Sequence, residues 1–328
     1  MKLIVSIDTE EDEWGCFKPT GHTVENIKNI PKLQSLFDEF NIMPTYLINY
    51  PVAIDDSARN ILSEIEADGR CEIGAHCHPW NTPPFVESMS EKNSMLRNLD
   101  VGLQFDKLKA LHETIQKGFN ITPISFRSGR WGYNQDVADN ISRLGYKVDS
   151  SIISYTSWSD YYGPDFSELP PDPFELNTCK YNGQRKLLEI PATVGYLRNN
   201  YNLSNRVYKL TRVPALKKLR LLGIIEKLNL VKQIVLSPEL STSEEMILLT
   251  DIMKRKGYKC ATMYFHSTTL KVGASPYVKN KSDEDDFYLT IRKYLEYISS
   301  NEIDSIKLKD TVQLFKHTEL NNFSNVPF

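Results

Sequence analysis

The chain has 328 residues and a mass of 37.7 kDa, enough to bury one large core or two modest ones. Apolar content of 41%, charged content of 25% and a net charge of −3 describe an ordinary globular protein, with no global attraction toward nucleic acid or an anionic membrane. The 5 cysteines are scattered without paired spacing, which fits a reducing compartment and not a disulfide framework.

The amino terminus reads MKLIVSIDTEEDE. Its short apolar run meets acid at once, so it predicts a strand, not a signal peptide or membrane span, and a cytoplasmic protein without a transmembrane segment. In chain order, strands are predicted at LIVSI (3–7), TYLIN (45–49), CEIGA (71–75), ISFRS (124–128), YKVDS (146–150), LLEIPA (187–192), QIVLS (233–237) and ATMYF (261–265). Helical periodicity falls at 24–40, 57–68, 100–117, 134–144, 243–256 and 283–299. The helix at 243–256 carries its own punctuation. Ser241 or Thr242 with Glu244 or Glu245 makes a capping box, and Gly257 stands at the left-handed C′ position. The DEDD run (283–286) reads as a helix start, where carboxylates meet the positive end of the dipole.

This alternation predicts a mostly parallel sheet, open or closed into a barrel, in one domain spanning 1–328. The rhythm breaks at about 151–235, read as an insertion. It holds a Pro- and aromatic-rich loop (YYGPDFSELPPDPF, 161–174) and a basic segment, with nine Lys/Arg against one Glu from Tyr196 to Val235. That segment reads first as a solvated face, and second as a surface for an anionic substrate or partner.

Polar residues gather at strand ends. Asp8 and Glu10 follow the first strand, and His76 and His78 the third. Arg127 and Arg130 close ISFRS, Asp149 closes YKVDS, and His266 closes ATMYF. In parallel α/β folds that rim is where sites are built. Residues i and i+2 of an extended chain share a face, so His76 and His78 can serve one centre. A neighbouring carboxylate would complete a facial set suited to a divalent metal. Taken alone, His-x-His is more often accidental, and Cys77 between them packs on the opposite face. Asp8 and Glu10 also share a side, and a metal would relieve their repulsion, one as ligand and the other free as a base. Glu11 and Glu13 read as a solvated acidic loop. Arg127 suits either a carboxylate-orienting pair or a structural salt bridge. Trp131 and Tyr133 read as core or as a sugar-stacking wall. His266 suits a general acid.

In order, SIDTE, EIGAHCHP, FRSGRWG, YKVDSS and YFHS resemble the five motifs of the polysaccharide deacetylase superfamily (carbohydrate esterase family 4), over about residues 5–270. The stretch FHSTTLKVGASPY (265–277) resembles the branch found beside bacterial surface-polysaccharide biosynthesis functions. The resemblance implies an irregular (β/α) barrel of about seven strands. It also implies metal-dependent removal of an N-acetyl group from a sugar of a surface polysaccharide or its precursor. Carried over by residue, Asp8 is the catalytic base, and Arg127 orients it. Glu10, His76 and His78 hold one divalent ion, zinc first, with cobalt, nickel, manganese or iron also suited. A backbone N–H near Arg130 stabilises the oxyanion, Asp149 charges and orients His266, and His266 is the general acid. Trp80, Trp131 and Tyr133 are the expected substrate-binding aromatics. Three departures stand out. Thr9 occupies the usual place of the metal carboxylate, the two histidines are closer than usual, and Arg130 replaces a proline–tyrosine pair.

The expected partner is thus a carbohydrate, with no nucleic acid. Two other readings are an amidohydrolase acting on a small cyclic amide and an inactive carbohydrate-binding barrel. Retention of both Asp8 and His266 argues against the binder, which needs neither base nor acid.

Overall fold

The computed structural model describes residues 1–178, 185–197, 200–212 and 232–323. The strands are β1 (Lys2–Thr9), β2 (Thr45–Ile48), β3 (Glu72–Cys77), β4 (Ser125–Ser128), β5 (Val148–Asp149) and β6 (Phe174–Thr178). They continue with β7 (Arg185–Glu189), β8 (Val194–Tyr196), β9 (Gln233–Val235), β10 (Cys260–His266), β11 (Ser305–Ile306) and β12 (Asn321–Phe323). The main sheet runs β10-β1-β2-β3-β4-β5-β7-β6-β12, with β11 added beside β1. From β10 through β7 every pairing is parallel. That ribbon is the mostly parallel sheet predicted by the alternation, curled as the irregular (β/α) barrel that the resemblance implies. Among the described residues its outermost strands do not pair with each other, so hydrogen bonds do not close the ring.

The free edge of β10 is covered instead. Thr193 N–H donates to the Thr262 carbonyl (3.1 Å), and Tyr264 N–H donates to the Leu236 carbonyl (3.1 Å). Thr193 and Leu236 flank the small antiparallel pair β8–β9. One expectation is refined here: within the segment read as an insertion, β6 forms at the end of the Pro- and aromatic-rich loop, because FELNT alternates buried and half-buried residues and pairs antiparallel with β7. Most of the basic segment lies outside the described residues.

Helices follow the strands as the 3.6-residue period requires, at Ile30–Glu39, Asp56–Ala67, Val101–Phe119, Gln135–Leu144, Ser243–Arg255 and Lys281–Ser300. Their apolar stripes pack on the outward residues of the sheet in the larger core cluster. Among the described residues no helix is long and apolar enough to cross a membrane. The last helix is capped by Asn280, with Asp283 and Glu284 in its first turn, so the acidic run does serve a helix start.

Strand parity sets what faces the inside. A smaller cluster of Ile4, Leu47, Val148, Leu188, Ile190, Cys260 and Leu308 fills the ring's lower part. At its amino end Glu72 accepts hydrogen bonds from Ser125 Oγ (2.6 Å), Thr45 Oγ1 (3.0 Å) and Lys309 N–H (2.8 Å). Two residues further along each strand the inward positions turn polar: Ser6, Arg127 and Ser150. Two further still, Asp8, His76 and His266 arrive at the carboxyl rim. Parallel register places Asp8 beside His266 and His76 beside Arg127.

Ser243–Arg255 shows the capping box with Thr242 and Glu245 as its members, and Gly257 adopts φ +81°. Thr242→Ala removes one arm of that box and is expected to lower stability by about 1 kcal/mol, read as a shifted midpoint in urea unfolding without a changed slope.

Candidate active site

A cavity of about 340 Å³ opens at the carboxyl rim. Asp8, Glu10, His76, His78, Glu239 and His266 line its floor, with Trp14, Phe17, Trp80, Trp131 and Trp158 on its walls. Three donors converge there. Glu10 Oε2 lies 3.3 Å from His78 Nε2 and 3.7 Å from His76 Nε2. One ligand atom from each of these residues falls within 4.8 Å of the others, and all three residues are buried. The remaining ring nitrogens face acceptors: His76 Nδ1 meets the Arg127 carbonyl (3.1 Å), and His78 Nδ1 meets Glu11 (3.4 Å). Each Nε2 is thereby turned toward Glu10. Two imidazole nitrogens, each oriented from behind, and a carboxylate oxygen fit a divalent ion with positions left for water or substrate.

Asp8 lies beside this set. Arg127, with no exposed surface, donates to Asp8 Oδ1 (2.8 Å), Ser6 Oγ (2.7 Å), Ser150 Oγ (2.9 Å) and the Ser150 carbonyl (2.8 Å). Burial alone would raise the Asp8 pKa. The Arg127 guanidinium, then His76 and His266, outweigh it and hold the carboxyl below its usual range. Glu10 has no such cation. Burial, with the carboxylates of Glu11, Asp8 and Glu239, pushes it well above the usual range despite His266. A buried carboxylate that resists ionisation lacks a counter-charge, and a divalent ion would supply it.

His266 stands 3.8 Å from Asp8 Oδ2 through Nε2. Its Nδ1 lies 2.9 Å from Glu239 Oε2, and its backbone N–H donates to Glu239 Oε1 (3.0 Å). Burial would lower this imidazole's pKa, but Glu239, Glu10 and Asp8 raise it to about 10. Trp14 packs edge-on against the ring at 4.7 Å.

Glu239, not Asp149, is therefore the carboxylate on His266. Asp149 pairs in register with Phe126, one step from the inward Arg127, so its side chain leaves the opposite face of the sheet. There it meets Glu189 and Tyr133, and burial pushes both carboxyls above their usual range. Ser151 Oγ donates to Asp149 (2.6 Å) and accepts from Ser128 N–H (2.8 Å), so Asp149 braces the turn that follows β4. Tyr133 is fully buried on that side and does not line the cavity.

The other expected residues reach the rim. Arg130 places its guanidinium 4.9 Å from the Phe17 ring and bonds Ser94. Arg130 and Trp131 adopt φ +52° and +58°, consecutive left-handed residues that cost about 1 kcal/mol or more each. Trp131 packs edge-on to Tyr264 at 5.2 Å. Trp80 lines the wall, stacks on His78 at 4.0 Å and donates to Glu11 (3.0 Å), so it braces the His78 ring. Glu11 is buried and not part of a solvated loop. Its ring neighbour dominates: burial would raise its pKa, but His78 brings it to about 2. Cys77 is packed as expected.

No protein-family model matches the sequence, and no curated protein sequence matches it significantly. Solved structures do match. A Mycobacterium smegmatis protein assigned as a polysaccharide deacetylase aligns over 99% of this chain and 94% of its own, with TM-score 0.56 at 12% identity. A Parabacteroides distasonis protein assigned as a glycoside hydrolase/deacetylase aligns over 98% and 72%, with TM-score 0.62 at 10% identity. An allantoinase aligns over 97% and 91%, with TM-score 0.55 at 12% identity. The chain shares its fold with these proteins.

Gly129 lets the His78 ring lie against the backbone. A Cβ there would stand 2.3 Å from His78 Cδ2 and 2.7 Å from the Cys77 carbonyl oxygen. Gly129→Ala is expected to displace the ring and weaken zinc binding by about 10- to 100-fold, measured by chelator competition with circular dichroism unchanged.

Proposed function

We propose that the protein is a metal-dependent hydrolase that removes an N-acetyl group from an N-acetylated sugar. The arrangement that carries this reading is one rim holding a Glu10–His76–His78 donor set, an Arg127-held carboxylate at Asp8 and a carboxylate-backed imidazole at His266. A binding module needs none of these. The cavity sits near the lower end of the range for small-molecule sites, about 300–1,000 Å³, and its aromatic walls suit a sugar ring. One sugar residue is the unit it takes, from a bacterial surface polysaccharide or its precursor. Cytoplasmic action on such a precursor agrees with the sequence expectation.

Glu10, His76 and His78 would hold the metal, zinc first. When bound, the ion supplies a Lewis acid for the acetyl carbonyl and a lowered pKa for water. The chain's own groups do the rest. Asp8, kept ionised by Arg127, accepts the proton of the attacking water at its carboxylate oxygen. A backbone N–H of the strained turn at Arg130 steadies the developing oxyanion. His266, protonated and oriented by Glu239, delivers a proton from Nε2 to the departing amine. The aromatic walls limit water to the reacting position.

The likeness to an allantoinase favours a second reading, hydrolysis of a small cyclic amide, since its fold agrees as well as that of the M. smegmatis protein. The two separate on substrate: acetate from N-acetylhexosamine derivatives against ring opening of allantoin.

The test is metal content and acetate release for the wild type beside two variants. About one transition ion per chain, lost in His76→Ala/His78→Ala, is expected. Asp8→Asn is expected to keep the ion while losing about 10²- to 10⁴-fold in kcat. A wild type that stays metal-free in zinc and cobalt ends this reading.

Glu239→Gln tests the acid. The raised His266 pKa supports activity below about 10 and activity falls as pH rises through it. Without the Glu239 charge that alkaline limb of kcat/KM is expected at lower pH, and an unmoved limb removes His266 from the acid role.

A further inference from the structure

Glu11 follows a proposed ligand in sequence, yet it faces the other side of the second histidine. His78 has Glu10 at Nε2 and Glu11 at Nδ1. Besides His78, the two side chains that hydrogen-bond to the Glu11 carboxylate, Trp80 and Asn49, are donors. The Trp80 indole can only donate, and it does so at 3.0 Å. The Asn49 amide has its orientation fixed, because Oδ1 accepts from Val52 N–H (3.3 Å) as the cap of the helix Tyr50–Ile54. Its Nδ2 is thereby turned to Glu11. A carboxylate already held by two obligate donors accepts from a third, so the proton on His78 sits at Nδ1.

We infer that Glu11 is a positioning residue that locks His78 in the Nδ1–H tautomer, so that Nε2 is presented to the cation site before any ion arrives. His76 reaches the same tautomer by a different route, through the Arg127 carbonyl, which can only accept. One ligand is thus set by a neutral acceptor and the other by a charged one. The charged acceptor raises the basicity of its imidazole and tightens the hold on a cation. Trp80 couples the two functions, since it bonds Glu11 and stacks on the ring Glu11 orients. The inference rests on the metal-site reading above.

The experiment uses full-length protein labelled with ¹⁵N at histidine, metal-free and zinc-loaded, together with zinc affinity by chelator competition. In metal-free wild type, the ring nitrogens of His78 are expected to report one tautomer, protonated at Nδ1. Glu11→Gln is expected to give a mixture of tautomers and zinc binding weaker by about 10- to 100-fold. Retention of the single tautomer with wild-type zinc affinity in Glu11→Gln overturns the inference and leaves the metal site standing. If wild type binds no zinc, the metal reading fails, and the tautomer in the metal-free variant still decides the hold of Glu11 on His78. Should Glu11→Gln not fold, Glu11→Asp, which withdraws the carboxylate from Nδ1, is expected to lose at least about tenfold in zinc affinity, and wild-type affinity there is the overturning result.

Discussion

A guanidinium with no exposed surface holds this rim together. Arg127 spans the inside of the ring, donating to Asp8 and Ser6 on β1 and to Ser150 after β5, while its own carbonyl receives His76 from β3. Removing one partner of such a buried pair costs about 3–5 kcal/mol, because the other charge is left without compensation. The ion pair does not add net stability over an apolar core; it fixes geometry. It sets which way Asp8 points and keeps it ionised, and it turns His76 so that Nε2 faces Glu10. The orientations of Asp8 and His76 thus depend on one side chain.

Much of this was legible because strands and rims follow simple periods. The strand–helix alternation placed the parallel ribbon, and the strand ends placed Asp8, Glu10, His76, His78 and His266 around one cavity, with Arg127 buried against Asp8. Where the reading departed from the structure, parity explains it. In YKVDSS the inward residues are Val148 and Ser150, so Asp149 must leave through the outer face, as Glu189 does in the neighbouring strand. Glu239 carries a signal of the same kind as the others, an acid just past the strand QIVLS. Tyr133 lies beyond the turn that delivers Trp131 to the cavity, and that turn reverses its side.

Glu11 was not legible at all. In sequence it is one acid among four, and its burial depends on Asn49 and Trp80 arriving from two other strand ends. Such a residue acquires its role only from tertiary structure. The pattern is general: groups on strands are found by counting, and groups that orient them from loops are not.

The covering of β10 carries a consequence for assembly. An unpaired strand edge invites pairing with another chain, and here Thr193 and Leu236 seal it. The same polypeptide arm, three residues beyond Leu236, brings Glu239 to His266. Covering the seam and bringing a carboxylate to His266 therefore depend on one segment. A chain in which this arm is displaced would bare the β10 edge and take the Glu239 carboxylate away from His266 together.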